Sequence, residues 1–167
     1  SIVVVGSIAF DSIKTPFGER KQALGGAANY FAMAAQFFTS VKLVGIIGDD
    51  FPQSHLAVLK NKGVNLEGVE KKPGKTFHWK GQYGFDLNEA QTLDTQLNVF
   101  SDFSPRLPSS YKDTEIVFLA NIDPDLQINV LQQVHSPKII AIDTMNFWIE
   151  HKPEELAKVM AKVDILF

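Results

Sequence analysis

The chain contains no cysteine among its 167 residues. This absence excludes disulfides, thiolate metal ligands and a cysteine nucleophile, and it fits the reducing cytoplasm, where we predict the protein to be located. The chain also has no excess of positive charge, since 16 Lys and Arg residues stand against 19 Asp and Glu residues. Nucleic-acid binding normally depends on such an excess, so nucleic acid is not a predicted partner.

Long apolar runs are also absent. No stretch approaches the ~20 consecutive apolar residues of a membrane span, so no membrane partner is predicted. The first residues, Ser1–Val5, lack the basic flank and the cleavage site of a signal peptide and are typical of a buried strand. The four histidines are scattered along the chain without the spacing of zinc ligands, so no metal site is predicted.

Short apolar segments alternate with amphipathic ones along the chain. We predict strands at 2–6, 41–47, 116–120, 139–142 and 164–167, and helices at 27–39, 51–62, 125–134 and 154–163. This alternation indicates a single α/β domain over residues 1–167, with a mostly parallel sheet flanked by helices on both faces. The helix at 27–39 is apolar nearly all round, which predicts that it is buried.

Two segments interrupt this alternation, at about 14–24 and 76–103. Their residues alternate as in antiparallel strands, and both segments follow strands at the edge where ligands bind in α/β sheets. We therefore predict one small β-sheet that projects over this edge as a lid. The alternative interpretation is an ordinary edge hairpin without a function.

The richest pattern in the chain is the pair Gly25-Gly26, followed by Asn29 and preceded by Asp11. Glycines allow a close approach of the backbone, and a helix N-terminus presents unpaired N–H groups to polar ligands. Asn29 can donate and accept hydrogen bonds, and Asp11 can accept them from hydroxyl groups. These residues predict a site for a polar small molecule. The alternatives are turn capping by Asp11 and helix–sheet packing by the glycines.

Further polar residues follow the predicted strand at 116–120. Asn121 and Asp123 lie at the ligand edge, and Asn121 is a candidate substrate-binding residue. The alternative role for both is an N-cap ahead of Pro124. The segment Pro73–Thr76 has the ending of a phosphate-binding P-loop, but it lacks the earlier glycine and precedes a predicted strand, so we predict a turn there.

Together these residues resemble the ribokinase-like, PfkB-type carbohydrate kinases along the whole chain. Asp11 and the segment Gly25–Asn29 are similar to the family's sugar-contacting residues. The segment Val44–Phe51 is similar to its Gly-x-x-Gly-x-Asp stretch, and Lys62-Gly63-Val64 resembles the end of its next helix. The candidate substrate-binding residues are Asp11, Gly25, Gly26, Asn29 and Asn121.

The resemblance implies a sugar kinase that transfers a phosphoryl group from ATP to an alcohol group of a carbohydrate, with Mg²⁺. It allows a homodimer formed through the lid. One alternative is a nucleoside kinase, with base stacking on Phe10, Phe17 or Phe77. A second alternative is a sugar- or nucleoside-binding module without catalysis.

Other motifs of this family are not found in the 167 residues. These are the Asn-x-x-Glu element linked to Mg²⁺ and the Gly-Ala-Gly-Asp anion hole with the catalytic Asp. From the sequence we therefore expect a chain that is incomplete at its C-terminus. We also expect it to contain no catalytic residue and to be inactive by itself.

Overall fold

The computed structural model describes residues 1–167, which form two β-sheets and five α-helices. In chain order the elements are β1 (Ile2–Val5), β2 (Ala9–Thr15), β3 (Gly18–Gly25), α1 (Ala27–Ala35), β4 (Val41–Ile47), α2 (Gln53–Asn61), β5 (Asn65–Lys71), β6 (Phe77–Tyr83), β7 (Ala90–Gln96), β8 (Ile116–Leu119), α3 (Pro124–Leu131), β9 (Ile139–Ile142), α4 (Asn146–His151), α5 (Pro153–Met160) and β10 (Ile165–Leu166). Short 3₁₀ helices lie at Asn98–Asp102 and Ser109–Tyr111.

The central sheet has six parallel strands in the order β10-β9-β8-β1-β4-β5. Every side chain of β1 is buried, because the strand is covered on both faces. One apolar cluster includes Ala32 of α1 and Leu59 of α2, and a second on the other face includes Val130 of α3 and Val159 of α5. The predicted parallel sheet between two layers of helices is confirmed.

The small sheet has four strands in the order β3-β2-β6-β7. Strands β2 and β6 pair in parallel, whereas β3 and β7 pair antiparallel with them at the two edges. The predicted second sheet is therefore present, although its pairing is mixed. It begins at Ala9 rather than near residue 14. The end of the predicted segment 76–103 is not a strand but a 3₁₀ helix over Asn98–Asp102, whose first residue has a positive φ of +50°.

The expectation of a long, fully buried first helix was wrong. Helix α1 ends at Ala35, and only Ala28, Asn29 and Ala32 are buried in it. Phe37 and Phe38 lie in the turn beyond the helix and are 72% and 89% exposed, so their apolar character does not reflect burial.

Two elements were not anticipated from the sequence. Strand β5 forms the edge of the central sheet, and its polar sequence lacks the apolar run that marks a strand buried on both faces. Helix α4 has six residues and contains no buried position, so it is too short to show the repeated apolar spacing of a packed helix. None of the helices combines the length and the apolar character required to cross a membrane.

The order of the central strands determines where a ligand can bind. Strand β1 lies between β4 and β8, so the chain leaves it towards one edge and later crosses to the other side. In open α/β sheets, ligands bind at such a reversal, outside the carboxyl ends of the strands. This places the candidate crevice beyond the ends of β1 and β8.

Candidate functional site

The first turn of α1 and the end of β8 converge on Gly6, which follows β1. A Cβ on Gly6 would lie 2.6 Å from the Cβ of Ala120 and 3.1 Å from that of Ala28. Asn29 and Asn121 are the next residues after these two alanines. The fold thus brings both predicted site residues to the same edge of the sheet.

The pair Gly25-Gly26 joins β3 to α1, and neither position has space for a side chain. A Cβ on Gly25 would lie 2.2 Å from the carboxyl carbon of Asp11. A Cβ on Gly26 would lie 2.4 Å from the carbonyl oxygen of Ser7, and the φ of +96° at Gly26 is itself unfavourable for other residues. The glycines therefore allow the Asp11 carboxyl group and the start of α1 to pack against the backbone.

Ser7 holds the amino end of α1 in this position. Its hydroxyl accepts a hydrogen bond from the amide of Ala27 at 3.0 Å, and its carbonyl accepts one from the amide of Ala28 at 3.2 Å. Two of the amides that a helix N-terminus leaves unpaired are thereby satisfied, so the start of α1 is fixed to the loop that follows β1.

Asp11 lies inside strand β2 and not in a turn. It is 8% exposed, and its Oδ2 accepts a hydrogen bond from the Tyr30 hydroxyl at 3.1 Å. Burial raises the pKa of the Asp11 carboxyl group, against the opposing effect of the hydrogen bonds from Tyr30 and the Gly26 backbone and of nearby His78. Burial and the neighbouring Asp11 also raise the pKa of Tyr30 to about 12, so Tyr30 remains a hydrogen-bond donor.

Asn29 is the most unusual polar residue of the site. It is 2% exposed, and its Oδ1 atom has no hydrogen-bond partner. A buried acceptor without a donor costs about 1–3 kcal/mol, and such groups are rare in folded proteins. A ligand hydroxyl or amine at this position would supply the missing donor.

The residues after β8 are already engaged within the protein. The Oδ1 atom of Asn121 accepts a hydrogen bond from the Trp148 indole at 2.9 Å. Asp123 caps α3 by accepting from the amide of Asp125, and it pairs with Lys152 at 2.8 Å. The hydrogen bonds that the Lys152 ammonium group donates to the carboxylates of Asp123 and Asp125 raise the pKa of Lys152 to about 12. Asp123 is therefore an N-cap, whereas the substrate-binding role of Asn121 stays a prediction.

The small sheet contributes aromatic side chains that the sequence analysis missed. Trp79 pairs with Asp11 across β6 and β2, and paired residues place their side chains on the same face of a sheet. Its indole donates a hydrogen bond to the Thr92 hydroxyl at 3.2 Å. Tyr83 is close enough to Tyr30 to contribute to its raised pKa. The alternation of aromatic residues along β6 is the signal that could have identified this face.

The phenylalanines considered for base stacking are engaged elsewhere. Phe10 is buried and stacks on Phe51 with the ring centroids 5.4 Å apart, and Phe77 stacks on Phe100 at 5.3 Å. Phe17 is exposed at the tip of the small sheet. None of them is available as a base-stacking surface beside Asp11 in this conformation.

The implied cofactors, Mg²⁺ and ATP, would need acidic ligands and a phosphate-binding loop. Residues 1–167 contain no cluster of three acidic or histidine side chains able to hold a metal ion. The turn at Pro73–Thr76 leads into β6 with Gly74 at a φ of +125°, so it lacks the helix of a phosphate-binding loop. We therefore assign none of the side chains in this chain to Mg²⁺ or ATP.

Comparison with known proteins gives a consistent picture of the fold. No family model matches the chain. It is 28% identical over 173 aligned residues to a cytidine kinase of Thermococcus kodakarensis, which covers 99% of this chain and 60% of that protein. Its structure is similar to a nucleoside kinase of Methanocaldococcus jannaschii, an archaeal member of the ribokinase family, with a TM-score of 0.74 and 19% identity over 99% of this chain and 60% of the other. An uncharacterized sugar kinase of Pyrococcus horikoshii gives a TM-score of 0.72 with 18% identity, over 99% of this chain and 64% of the other.

The chain has the ribokinase-like fold. The predicted resemblance to the PfkB-type kinases is confirmed, because the similar structures are sugar and nucleoside kinases of this fold. The chain spans about 60% of the length of its curated relative.

Proposed function

We propose that residues 1–167 form the acceptor-binding part of a kinase that transfers a phosphoryl group from ATP to a hydroxyl group of a sugar or nucleoside. The observation that carries this proposal is the buried, unpartnered Oδ1 atom of Asn29 beside the Gly25-Gly26 junction. The fold and the kinases that share it support the same conclusion.

In this proposal the chain positions the acceptor. Asp11 accepts a hydrogen bond from one acceptor hydroxyl, and Asn29 accepts one from a second. The small sheet covers the site as a lid and excludes water, which would otherwise compete for the phosphoryl group. The family's catalytic Asp and nucleotide motifs are not among these residues. We therefore propose that residues 1–167 alone do not catalyse phosphoryl transfer.

The choice between a sugar and a nucleoside is open to a direct test, and two observations favour the nucleoside. The curated relative is a cytidine kinase. The face of the small sheet that carries Asp11 also carries Trp79, and Tyr83 lies near Tyr30. Aromatic side chains bind nucleobases by stacking, which is worth about 1–3 kcal/mol per base.

The small sheet also supports the proposed homodimer. Phe17 and Phe85 are both largely exposed at the end of this sheet and pack edge-to-face with their centroids 6.1 Å apart. Pairing of two small sheets would cover this apolar surface. A cytoplasmic location stays a prediction from the sequence.

The test is a phosphotransfer assay on the full-length protein with ATP, Mg²⁺ and a panel of pentoses, hexoses and nucleosides. We expect Asn29→Ala to raise the acceptor KM by roughly tenfold, as follows from the loss of one buried hydrogen bond. Asn61→Ala, at an exposed position at the end of α2, serves as the matched control. A protein that phosphorylates no acceptor but binds one would be a binding module, and an Asn29→Ala variant with an unchanged KM would contradict the assigned site.

A further inference from the structure

One connection between the small sheet and the central sheet is the Gly25-Gly26 junction beside Asp11, which is part of the candidate site. Another runs through Thr76, immediately before β6, and nothing in the proposed acceptor site uses it. Thr76 is 1% exposed, which is unusual for a threonine in a connection between two sheets.

The hydroxyl group of Thr76 has both of its hydrogen-bonding functions satisfied. Thr76 Oγ1 donates to Asp50 Oδ1 at 2.7 Å and accepts from the amide of Gly48 at 3.0 Å. The amide of Thr76 donates to the same Asp50 oxygen at 2.8 Å. Three hydrogen bonds therefore join this one residue to the loop that follows β4.

Neighbouring backbone groups reinforce the attachment. The amide of Asp49 donates to the carbonyl of Gly74 at 2.8 Å, and the amide of Gly74 donates back to Asp49 Oδ2 at 3.3 Å. The loop after β4 and the segment that enters β6 thus form one hydrogen-bonded unit.

The far end of the β6–β7 hairpin returns to the same point. The side-chain amide of Asn98 donates to the carbonyl of Thr76 at 2.9 Å, and the amide of Val99 donates to the carbonyl of Lys75 at 3.1 Å. Both ends of the hairpin are therefore hydrogen-bonded to the segment Lys75-Thr76.

We propose that Thr76 is a positioning residue, which acts through Asp50 to hold the small sheet, with Asp11 on β2 and Trp79 on the paired strand β6, in its orientation relative to the central sheet and α1. The consequence for acceptor binding rests on the proposed function, whereas the consequence for the hairpin does not. Loss of the Thr76 hydroxyl leaves the Gly48 amide without its partner and loosens the attachment of β6, and with it the small sheet, to the loop that follows β4. Acceptor affinity then falls, while the groups that perform the chemistry remain unchanged.

The test compares Thr76→Val, which removes the hydroxyl at nearly constant shape, with Thr76→Ser, which restores it. Thr114→Val is the matched control, because Thr114 is also buried and its hydroxyl accepts a hydrogen bond from Lys42 at 2.9 Å, remote from the small sheet. In the full-length protein we expect Thr76→Val to raise the acceptor KM by roughly tenfold with a smaller change in kcat, since both hydrogen bonds of the hydroxyl, to Asp50 and from Gly48, are lost. Thr76→Ser should be close to wild type.

Hydrogen exchange gives a readout that does not depend on activity. Amides of residues 77–96 should exchange faster in Thr76→Val than in wild type or Thr114→Val. Asp50→Ala removes the exposed partner and should give the same result if Thr76→Val does not fold. Unchanged exchange in the hairpin would overturn the proposal, and so would faster exchange with an unchanged KM. If the wild-type protein transfers no phosphoryl group, the proposed function fails, and hydrogen exchange alone decides on the role of Thr76.

Discussion

The Asp11 carboxyl group is expected to aid acceptor binding at the expense of stability. It is buried beside Gly25, accepts a hydrogen bond from Tyr30, and forms no ion pair with a lysine or arginine. Replacing Asp11 by Asn keeps the shape and one oxygen acceptor but removes the charge. This substitution therefore separates the two effects.

For acceptor binding, the magnitude follows from the kind of hydrogen bond lost. A hydrogen bond to a charged group contributes about 1.5–3 kcal/mol, and one between neutral groups contributes about 0.5–1.5 kcal/mol. Asp11→Asn should therefore weaken acceptor binding by roughly tenfold. Asp11→Ala removes the whole interaction and should lower kcat/KM by roughly 10- to 150-fold.

For stability, the sign follows from the raised pKa of Asp11. A carboxyl group whose pKa rises on folding favours the folded state at pH values below its ordinary pKa of 3.8, and this contribution is lost as the pH rises through the folded-state pKa. Asn does not titrate. Asp11→Asn should therefore be more stable than wild type at pH 7, and this advantage should shrink as the pH is lowered towards 3.8 and below.

Two assays on the full-length protein check this reasoning. Titration calorimetry gives the acceptor Kd, and thermal unfolding between pH 3 and pH 8 gives the stability difference. A variant that binds the acceptor as tightly as wild type would refute the role of Asp11 in binding. A variant less stable than wild type at pH 7 would refute the stated cost of burying the charge.

Three further outcomes are expected. Gly25→Ala places a Cβ 2.2 Å from the Asp11 carboxyl group, so it should lower the free energy of unfolding in urea by roughly 1–3 kcal/mol and weaken acceptor binding. Gly84→Ala is the control, because the nearest atom there is 3.6 Å away, and equal destabilisation by both substitutions would contradict the close packing at Gly25. Lys152→Met removes the ion pairs to Asp123 and Asp125 and should lower the free energy of unfolding at pH 9. This difference from wild type should disappear as the pH rises from 10.5 to about 12, and a difference that persists above that pH would contradict the ion-pair origin. Residues 1–167 alone should consume no ATP in an acceptor-dependent assay, and sustained turnover would contradict our placing of the catalytic groups outside these residues.

The central sheet could be predicted because its inner strands are short, continuous apolar runs in the sequence. Strand β1 is a run of β-branched residues, and only a strand covered on both faces buries every side chain in this way. The Gly25-Gly26 junction could also be predicted, since small residues at the start of a helix indicate that another group packs closely against the backbone there. Strand β5 could not be predicted in this way, because it pairs with only one other strand at the edge of the sheet and its sequence has no continuous apolar run.

The candidate site could be predicted only in part, because much of it depends on contacts between distant segments. Asp11 and Asn29 were predicted as site residues from their positions near the glycines. The hydrogen bond from Tyr30 to Asp11 and the attachment of Thr76 to Asp50 depend on how the two sheets are oriented, which no local pattern encodes. Asn121 was correctly placed at the edge, but its hydrogen bond to Trp148 arises from helix α4, which the sequence did not reveal.

The most direct test of the account is a crystal structure of the full-length protein with a bound acceptor and a non-hydrolysable ATP analogue. The proposal requires one acceptor hydroxyl or amine to donate to Asn29 Oδ1 and another hydroxyl to donate to the Asp11 carboxylate, each at about 2.6–3.2 Å. An acceptor bound at another edge of the sheet, or an Asn29 Oδ1 atom still without a donor in the complex, would contradict it.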